Sequence, residues 1–471
     1  MFINPQVFYE QISMLSIHIR EYFGAFYLWL GLGCVLFLLA IACLPLGKIR
    51  LGKEPPEFST LSWIAMLYSA GMGAGILLRA VQEPVFMLHN TPIDTLSNIE
   101  TIALEYTFYQ WGFTAWAFYV FFAVIMGYYL FVRKKSILLS TAFQKQKQRS
   151  WIKLVDLLTV LTTVIGIVAA IGLGTEQIEG GLTYFFELQD SYPFAIIFTL
   201  LIFALSFYSA YRGVNRGIKY LSNINIGITI LLLLFVFLFS DIIEIFSQFS
   251  KAIYTYIIDF IPMSLAIGKY NPGQEFLTSW TYYYWAFWLA WAPFTGIFIA
   301  RISRGRSLRQ IIFGAIIIPS VGSFFWFTVF GSSAFELIGQ MPNYAGEFDN
   351  VFSSIFVFLS HYPLYSVTAM VTILLLVGFL VTSADSAIYV LSMFSDHGKE
   401  QPKKSHRLIW AILMLLLTEA ILILSLYSSA TNVLSAVEKL LIITSLPFAF
   451  LTVIIAIRWV IDYWQNRKRF K

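Results

Sequence analysis

Read from its first residue, the chain alternates long apolar runs with short polar ones. Runs of about 20 apolar residues are what a helix needs to cross a bilayer. Eleven are predicted here, at 25–46, 62–88, 104–132, 153–175, 194–211, 219–240, 279–300, 310–332, 364–394, 407–427 and 434–460. Residues 1–24 carry Glu10, Arg20 and Glu21 ahead of the first run, which is not the order of a cleavable leader. They read as a separate segment lying at the membrane interface. The stretch 242–258, IIEIFSQFSKAIYTYII, has helical periodicity and is predicted to lie along the outer surface.

Spans two to six cover 62–240, and spans seven to eleven cover 279–460. The remaining pieces are 25–61, an extra helix and loop, 241–278, a surface linker, and 461–471, a short basic tail. Two successive blocks of five helices have opposite orientations. That is the organisation of inverted-repeat transporters, whose sites lie at mid-membrane on interrupted helices. The expectation rests on span count, since no residue-level repeat is visible.

Composition agrees with the pattern. Of 471 residues, 58% are hydrophobic and 12% charged, against about 25% charged in soluble domains. The net charge of +5 is mainly a topology signal. Of 31 Lys and Arg, 26 fall in one set of alternate loops, at 48–53, 133–153, 212–219, 301–309, 399–407 and 458–471. The positive-inside rule then places the C-terminus in the cytoplasm and the N-terminus outside. A nucleic-acid partner is not implied; membrane lipid is.

Three features carry candidate chemistry. First, Gly71, Gly73 and Gly75 stand inside span two, in SAGMGAGILLRAVQEP. Each glycine costs a helix about 1 kcal/mol relative to Ala. Two readings are open: an unwound stretch whose backbone faces a solute, or close helix packing through small residues. Second, aromatic rings cluster in mid-span. Trp111, Trp116 and Tyr119 lie in span three, while Tyr284, Trp285, Trp288 and Trp291 lie in span seven. Interfacial belts explain rings near helix ends but not these. Two helices facing each other with indoles build a box for a cation, at about 2 kcal/mol or more per desolvated contact. Third, Arg79 is the one basic residue well inside an expected span, the others falling toward span ends or in loops. It reads either as an ion pair with Glu83 or Glu176, or as an anchor for a carboxylate or sulfonate.

Enzymatic chemistry has little to stand on. His18, His89, His361, His397 and His406 fall near span ends or in loops and show no metal spacing. Cys34 and Cys43 share one apolar run, so no disulfide framework is expected. Asp385, in TSADS, reads as a structural acceptor at a helix end. No phosphate loop is present.

The motif TYYYWAFWLAWAPFTGIFIARISRGRSLRQ resembles the signature of the betaine/choline/carnitine transporter family. So do GMGAGILLRAVQEP, QWGFTAWAFYVFFAVIMGYYLFVRKK, LGKEPPEFSTLSWIAM and LVTSADSAIYVLSMFS, in order over about 45–460. The resemblance implies an all-α polytopic protein with a leucine-transporter-like five-plus-five inverted repeat, in the bacterial cytoplasmic membrane. It also implies homotrimers and import of a quaternary-ammonium or related zwitterionic solute, mostly with sodium and with no other cofactor. Carried over by position, the box is Trp111, Trp116, Tyr119 and Trp288, with Trp291 on the cytoplasmic route. Gly71, Met72, Gly73, Ala74 and Gly75 contact the solute's other end. Sodium is held by carbonyls of Ser69, Met72 and Phe379 and hydroxyls of Thr382 and Ser383. Simple back-bonding to their own helix is the alternative for those two hydroxyls.

Against the family pattern, the chain is expected to lack the first of twelve spans and the long charged tails of osmosensing members. Arg79 and Glu176 stand where apolar or aromatic residues are usual. Ile167 follows Gly166 where some members offer a hydroxyl, although Thr163 remains, and Phe287 replaces a common Trp. Two other readings stay open: a cation-independent exchanger in which Arg79 serves in place of sodium, and a receptor that binds without transport.

Overall fold

The computed structural model describes residues 5–93, 98–146, 150–188, 194–212, 217–427 and 433–466. Arg216, Lys147, Arg149 and the basic residues of the tail after 466 lie outside the described residues. In chain order the helices are α1 (Pro5–Cys43), α2 (Thr60–Gly71), α3 (Gly75–Leu78), α4 (Gln82–His89), α5 (Ile99–Trp111), α6 (Phe113–Gly127), α7 (Ser150–Phe185), α8 (Phe194–Arg212) and α9 (Ile218–Leu238). They continue as α10 (Ile242–Ser264), α11 (Gln274–Phe276), α12 (Tyr282–Ile302), α13 (Leu308–Gln340), α14 (Ser354–Ser360), α15 (Tyr365–Ser395), α16 (Lys404–Tyr427) and α17 (Val433–Asn466). The protein is an all-helical, multi-pass membrane protein.

Among the described residues, nine helical segments are long and apolar enough to cross a membrane. The two other expected spans differ for physical reasons. Span 62–88 is broken into α2, α3 and α4, and the described part of span 194–211 is a shorter apolar helix, Phe194–Ser209. No helix break appears at residue 24: α1 runs on from Pro5, and Arg20 is buried inside it. Its guanidinium donates to the carbonyls of Ser16 at 3.1 Å and Thr278 at 2.5 Å, so the charge is satisfied by backbone. The 242–258 stretch is helical, as its period predicts. In α10, Ile245, Ala252 and Tyr256 are buried while Ile243, Ile257 and Ile261 are exposed.

The aromatic helices are central. The segment Gln274–Ile302 has 94% of its apolar window buried and Ile99–Val132 has 89%, against 28% for both Ile218–Leu238 and Lys404–Leu426. Their rings therefore face protein, which an interfacial belt would not require. Around them the contacts fall in matching pairs. α2 packs on α9 as α12 packs on α17; α15 packs on α9 as α7 packs on α17; α15 packs on α8 as α7 packs on α16.

Asp385 stands mid-helix in α15, fully buried, rather than at a helix end. It still acts as an acceptor, receiving a hydrogen bond from the Ser209 hydroxyl of α8.

The arginines in the last turn of α12 and just after it close one end of the bundle. Arg301 Nη1 donates to Glu57 Oε2 at 2.7 Å, and its Nε lies 3.4 Å from Glu400. Arg306 stacks over Trp63 at 4.3 Å and donates to the Phe58 carbonyl at 2.9 Å. Ser307 and Gln310 then form a reciprocal cap that starts α13.

Candidate substrate cavity on the broken helix

The glycine stretch unwinds span two. Gly73 adopts φ +55°, which L side chains avoid. Among the described residues the amides of Gly73, Ala74 and Gly75 donate no backbone hydrogen bond, and the carbonyls of Ser69, Ala70 and Met72 accept none. At the depth of a membrane such groups are costly unless another partner meets them. Here all of these residues but Ser69 border a cavity of about 110 Å³ lined by residues 70–75. Of the two sequence readings, the unwound one describes the backbone. Close packing holds as well, since a Cβ on Gly71 would come within 2.7 Å of the Trp116 ring and one on Gly75 within 3.2 Å of Trp111.

α5 and α6 are one span with a hinge at Gly112, where any Cβ would strike the Phe108 carbonyl at 2.6 Å. The hinge sets Trp111 at the end of α5 beside α12. The ring centroids of Trp111 and Trp288 are 5.2 Å apart at 70°, and those of Tyr119 and Trp288 are 6.1 Å apart at 88°. Both are the edge-to-face arrangements that ring quadrupoles favour. Tyr284 adds a fourth ring, 5.9 Å from Trp288 and 5.8 Å from Trp111.

The polar edges of these rings are tied down. Trp288 Nε1 donates to the Gln110 carbonyl at 2.8 Å, Trp111 Nε1 to Glu83 Oε1 at 3.1 Å, and Tyr119 to the Gly71 carbonyl at 3.3 Å. The Tyr284 hydroxyl donates to the other Glu83 oxygen. Trp111, Tyr119, Tyr284, Phe287, Trp288 and Trp291 all border the cavity. Such a wall of π-faces suits an onium group, which has no N–H to satisfy.

The expected residues divide. Trp111, Tyr119, Trp288, Trp291, Gly71, Met72, Gly73, Ala74, Gly75, Arg79 and Ser383 border the cavity. Trp116 does not. It is fully buried behind Gly71, with its ring 5.7 Å from Tyr119 and edge-on to it, so it supports the wall from behind. Trp291 also borders a small recess with Thr162, Thr163, Gly166 and Ile167.

The Thr382 hydroxyl bonds back to Gly378 and Phe379 carbonyls at 3.1 and 2.9 Å. Ser383 faces the broken helix, where a Cβ on Gly73 would stand 3.1 Å from its Oγ. The buried Ser69 hydroxyl has no hydrogen-bond partner among the described residues.

Arg79 forms no ion pair with Glu83 or Glu176. Its Nη1 donates to Gln82 Oε1 at 2.7 Å, and its guanidinium lies 6.0 Å from the centre of the Trp280 ring. Glu83 is engaged by the two rings instead. Glu176 lines a separate hollow with Glu179 and Asn350.

Three polar side chains of the cavity escaped the sequence reading: Gln177, Tyr283 and Glu438. For Gln177 a signal existed. Ala170, Leu173, Gly174 and Gln177 follow the period of one helix face, and all four border the cavity. Glu176, the more conspicuous residue, lies one position off that face.

A fold of packed membrane helices around an aromatic cavity on a broken helix defines a solute transporter. The model of the betaine/carnitine/choline transporter family matches residues 1–468, and the chain belongs to that family. Its members are transporters, not enzymes. The chain is 35% identical to the Bacillus subtilis glycine betaine transporter OpuD, over 100% of this chain and 92% of that protein. It is 33% identical to the ectoine/hydroxyectoine transporter of Virgibacillus pantothenticus, over 91% and 86% of the two chains. It is 31% identical to the high-affinity choline transport protein of Escherichia coli, over 95% and 70%.

Proposed function

We propose that the protein imports a small onium-bearing zwitterion by sodium-coupled alternating access. The observation that carries this reading is the meeting of Trp111, Tyr119 and Trp288 with the unpaired amides of Gly73, Ala74 and Gly75 and the unpaired Met72 carbonyl around one cavity. The cationic head lies among the rings, and the carboxylate points toward the free amides and Arg79.

Sodium is proposed between the broken helix and α15. The donor set supports it: unpaired carbonyls at Ser69 and Met72, a buried unpartnered Ser69 hydroxyl, and the Ser383 hydroxyl beside Gly73. These are the hard oxygen ligands an alkali cation takes. Thr382 would have to turn from its helix carbonyls to join them.

The paired packing of α2/α9 with α12/α17, and of α15/α9 with α7/α17, supports an inverted repeat of 62–240 and 279–460, because a two-fold axis exchanges those contacts. The distribution of Lys and Arg supports a cytoplasmic basic end that includes Arg301, with the other end outside. A homotrimer in the bacterial cytoplasmic membrane, and a role in osmoprotection, follow from the resemblance to the family.

A second reading is exchange without a coupling cation. Arg79 supports it, being a fixed charge on the cavity with no ion pair to a carboxylate among the described residues. Uptake of radiolabelled glycine betaine, carnitine, ectoine and choline into proteoliposomes separates the two. Uptake that needs an inward sodium gradient and fails in Trp288→Ala supports import with sodium. Uptake indifferent to sodium but driven by internal solute supports exchange. No uptake and no binding of any of the four overturns both.

A further inference from the structure

The cavity lining is mixed. Beside the rings it carries Arg79 from the segment after α3, Gln177 from α7, and Tyr283 from α12 with Glu438 from α17, which lie against each other. Gln177 is fully buried, and neither its amide nitrogen nor its amide oxygen has a partner among the described residues. Buried amides are normally satisfied, so one with both atoms orphaned on a cavity wall points to a missing partner in the cavity. That partner must offer an acceptor to the nitrogen and a donor to the oxygen.

Glu438 sharpens the second demand. A carboxylate accepts hydrogen bonds only. The lining thus holds one formal positive charge on Arg79 and one formal negative charge on Glu438. A solute ending in a bare carboxylate satisfies Arg79 and the Gln177 N–H groups but meets Glu438 with like charge. A solute with a hydroxyl or N–H beside its carboxylate satisfies all of them. A simple cation with a hydroxyl satisfies Glu438 and leaves Arg79 unpaired.

Resting on the transport reading above, we propose that Glu438 and Gln177 make this cavity selective for onium carboxylates that also carry a hydrogen-bond donor. Hydroxylated trimethylammonium carboxylates such as carnitine belong to this class, as do cyclic amidinium carboxylates such as ectoine. Glycine betaine has a carboxylate and no donor. Sites built to hydrogen-bond a solute group reject the analogue lacking it, because their buried polar atoms are then left unpaired.

The test is a binding titration of the purified protein, read by quenching of the cavity tryptophans, with carnitine, ectoine and glycine betaine as ligands. In the unaltered protein the better of carnitine and ectoine is expected to bind about tenfold or more tighter than glycine betaine. Glu438→Gln is expected to shrink that ratio several-fold, mainly by improving glycine betaine. Gln177→Leu is expected to weaken all three. Glycine betaine binding as tightly as the donor-bearing solutes to the unaltered protein overturns the proposal without any variant. So does a ratio that Glu438→Gln leaves unchanged. Binding of none of the three fails the transport reading itself, a separate outcome.

Discussion

Trp111 Nε1 donates to Glu83 Oε1 at 3.1 Å, which ties the last residue of α5 to the first turn of α4. The second Glu83 oxygen takes the Tyr284 hydroxyl from α12. One buried carboxylate therefore fixes two cavity rings borne on two different helices. Glu83→Ala leaves both donors unpaired, at about 1–3 kcal/mol for each buried group. Affinity is expected to fall by roughly ten- to a hundredfold, at about 1.4 kcal/mol per factor of ten. Glu83→Gln retains one acceptor oxygen and is expected to lose less. Tryptophan-quenching titrations check both. Unchanged affinity in Glu83→Ala would mean the rings are held by packing alone.

Gly73 is the most constrained of the three glycines. Its φ of +55° costs an L-residue about 1–2 kcal/mol, and a Cβ would press on Ser383 Oγ at 3.1 Å. Gly73→Ala is expected to leave the protein in the membrane and to raise the sodium and solute concentrations for half-maximal uptake tenfold or more. Gly33→Ala is the control, because a Cβ there meets nothing within 4 Å. Equal behaviour of the two variants would remove the proposed ion site from the neighbourhood of Gly73.

Arg79 is expected to discriminate by charge. Its guanidinium borders the cavity with one nitrogen held by Gln82, leaving other donors for an anion. Arg79→Ala should weaken competition by carboxylate-bearing solutes at least tenfold more than competition by choline, which has no carboxylate. Competition assays against labelled uptake measure the ratio. An equal loss for both classes would take Arg79 out of the binding site.

Much of this was legible in the chain. The apolar runs predict the helices, because a bilayer sets their length. The break at residues 71–75 follows from three glycines at alternate positions, and the Trp111–Trp288 pair follows from mid-span rings on two segments. Other features depend on tertiary detail. Trp116 and Tyr119 share a helix face three residues apart, but Gly71 packs directly on the Trp116 ring and shuts it out of the cavity. Glu83 was readable as a partner for Arg79 from its spacing, yet two rings from other helices claim it. Glu438 carries no local motif, and the helix-face period that includes Gln177 does not say what that face meets. Only the convergence of α7, α12 and α17 brings the two to one cavity.

Arg301 joins three elements at the basic end of the bundle. It closes α12, bonds Glu57 ahead of α2 at 2.7 Å, and lies 3.4 Å from Glu400 beyond α15. Its side chain is 5% exposed, so water screens the pair poorly. Removing one partner of a buried pair costs about 3–5 kcal/mol, because the other charge is stranded. Glu57 is 22% exposed and can recover some hydration, which puts the expected cost below that range. Arg301→Ala should therefore shift the protein toward opening at this end. The recess beside Trp291 reports such opening, with Thr162 on its wall. With Cys34 and Cys43 replaced, Thr162→Cys gives a single thiol. Its labelling by a membrane-impermeant maleimide from the basic side should be about tenfold faster with Arg301→Ala than with Arg301 intact. Arg301→Lys, which keeps the charge but not the forked geometry, should fall between them. The exposed Arg304–Glu400 pair, 3.7 Å apart with Arg304 39% exposed, is the contrast. Arg304→Ala should leave labelling nearly unchanged. Equal rates in all four proteins would mean that packing, and not the arginine, keeps this end shut.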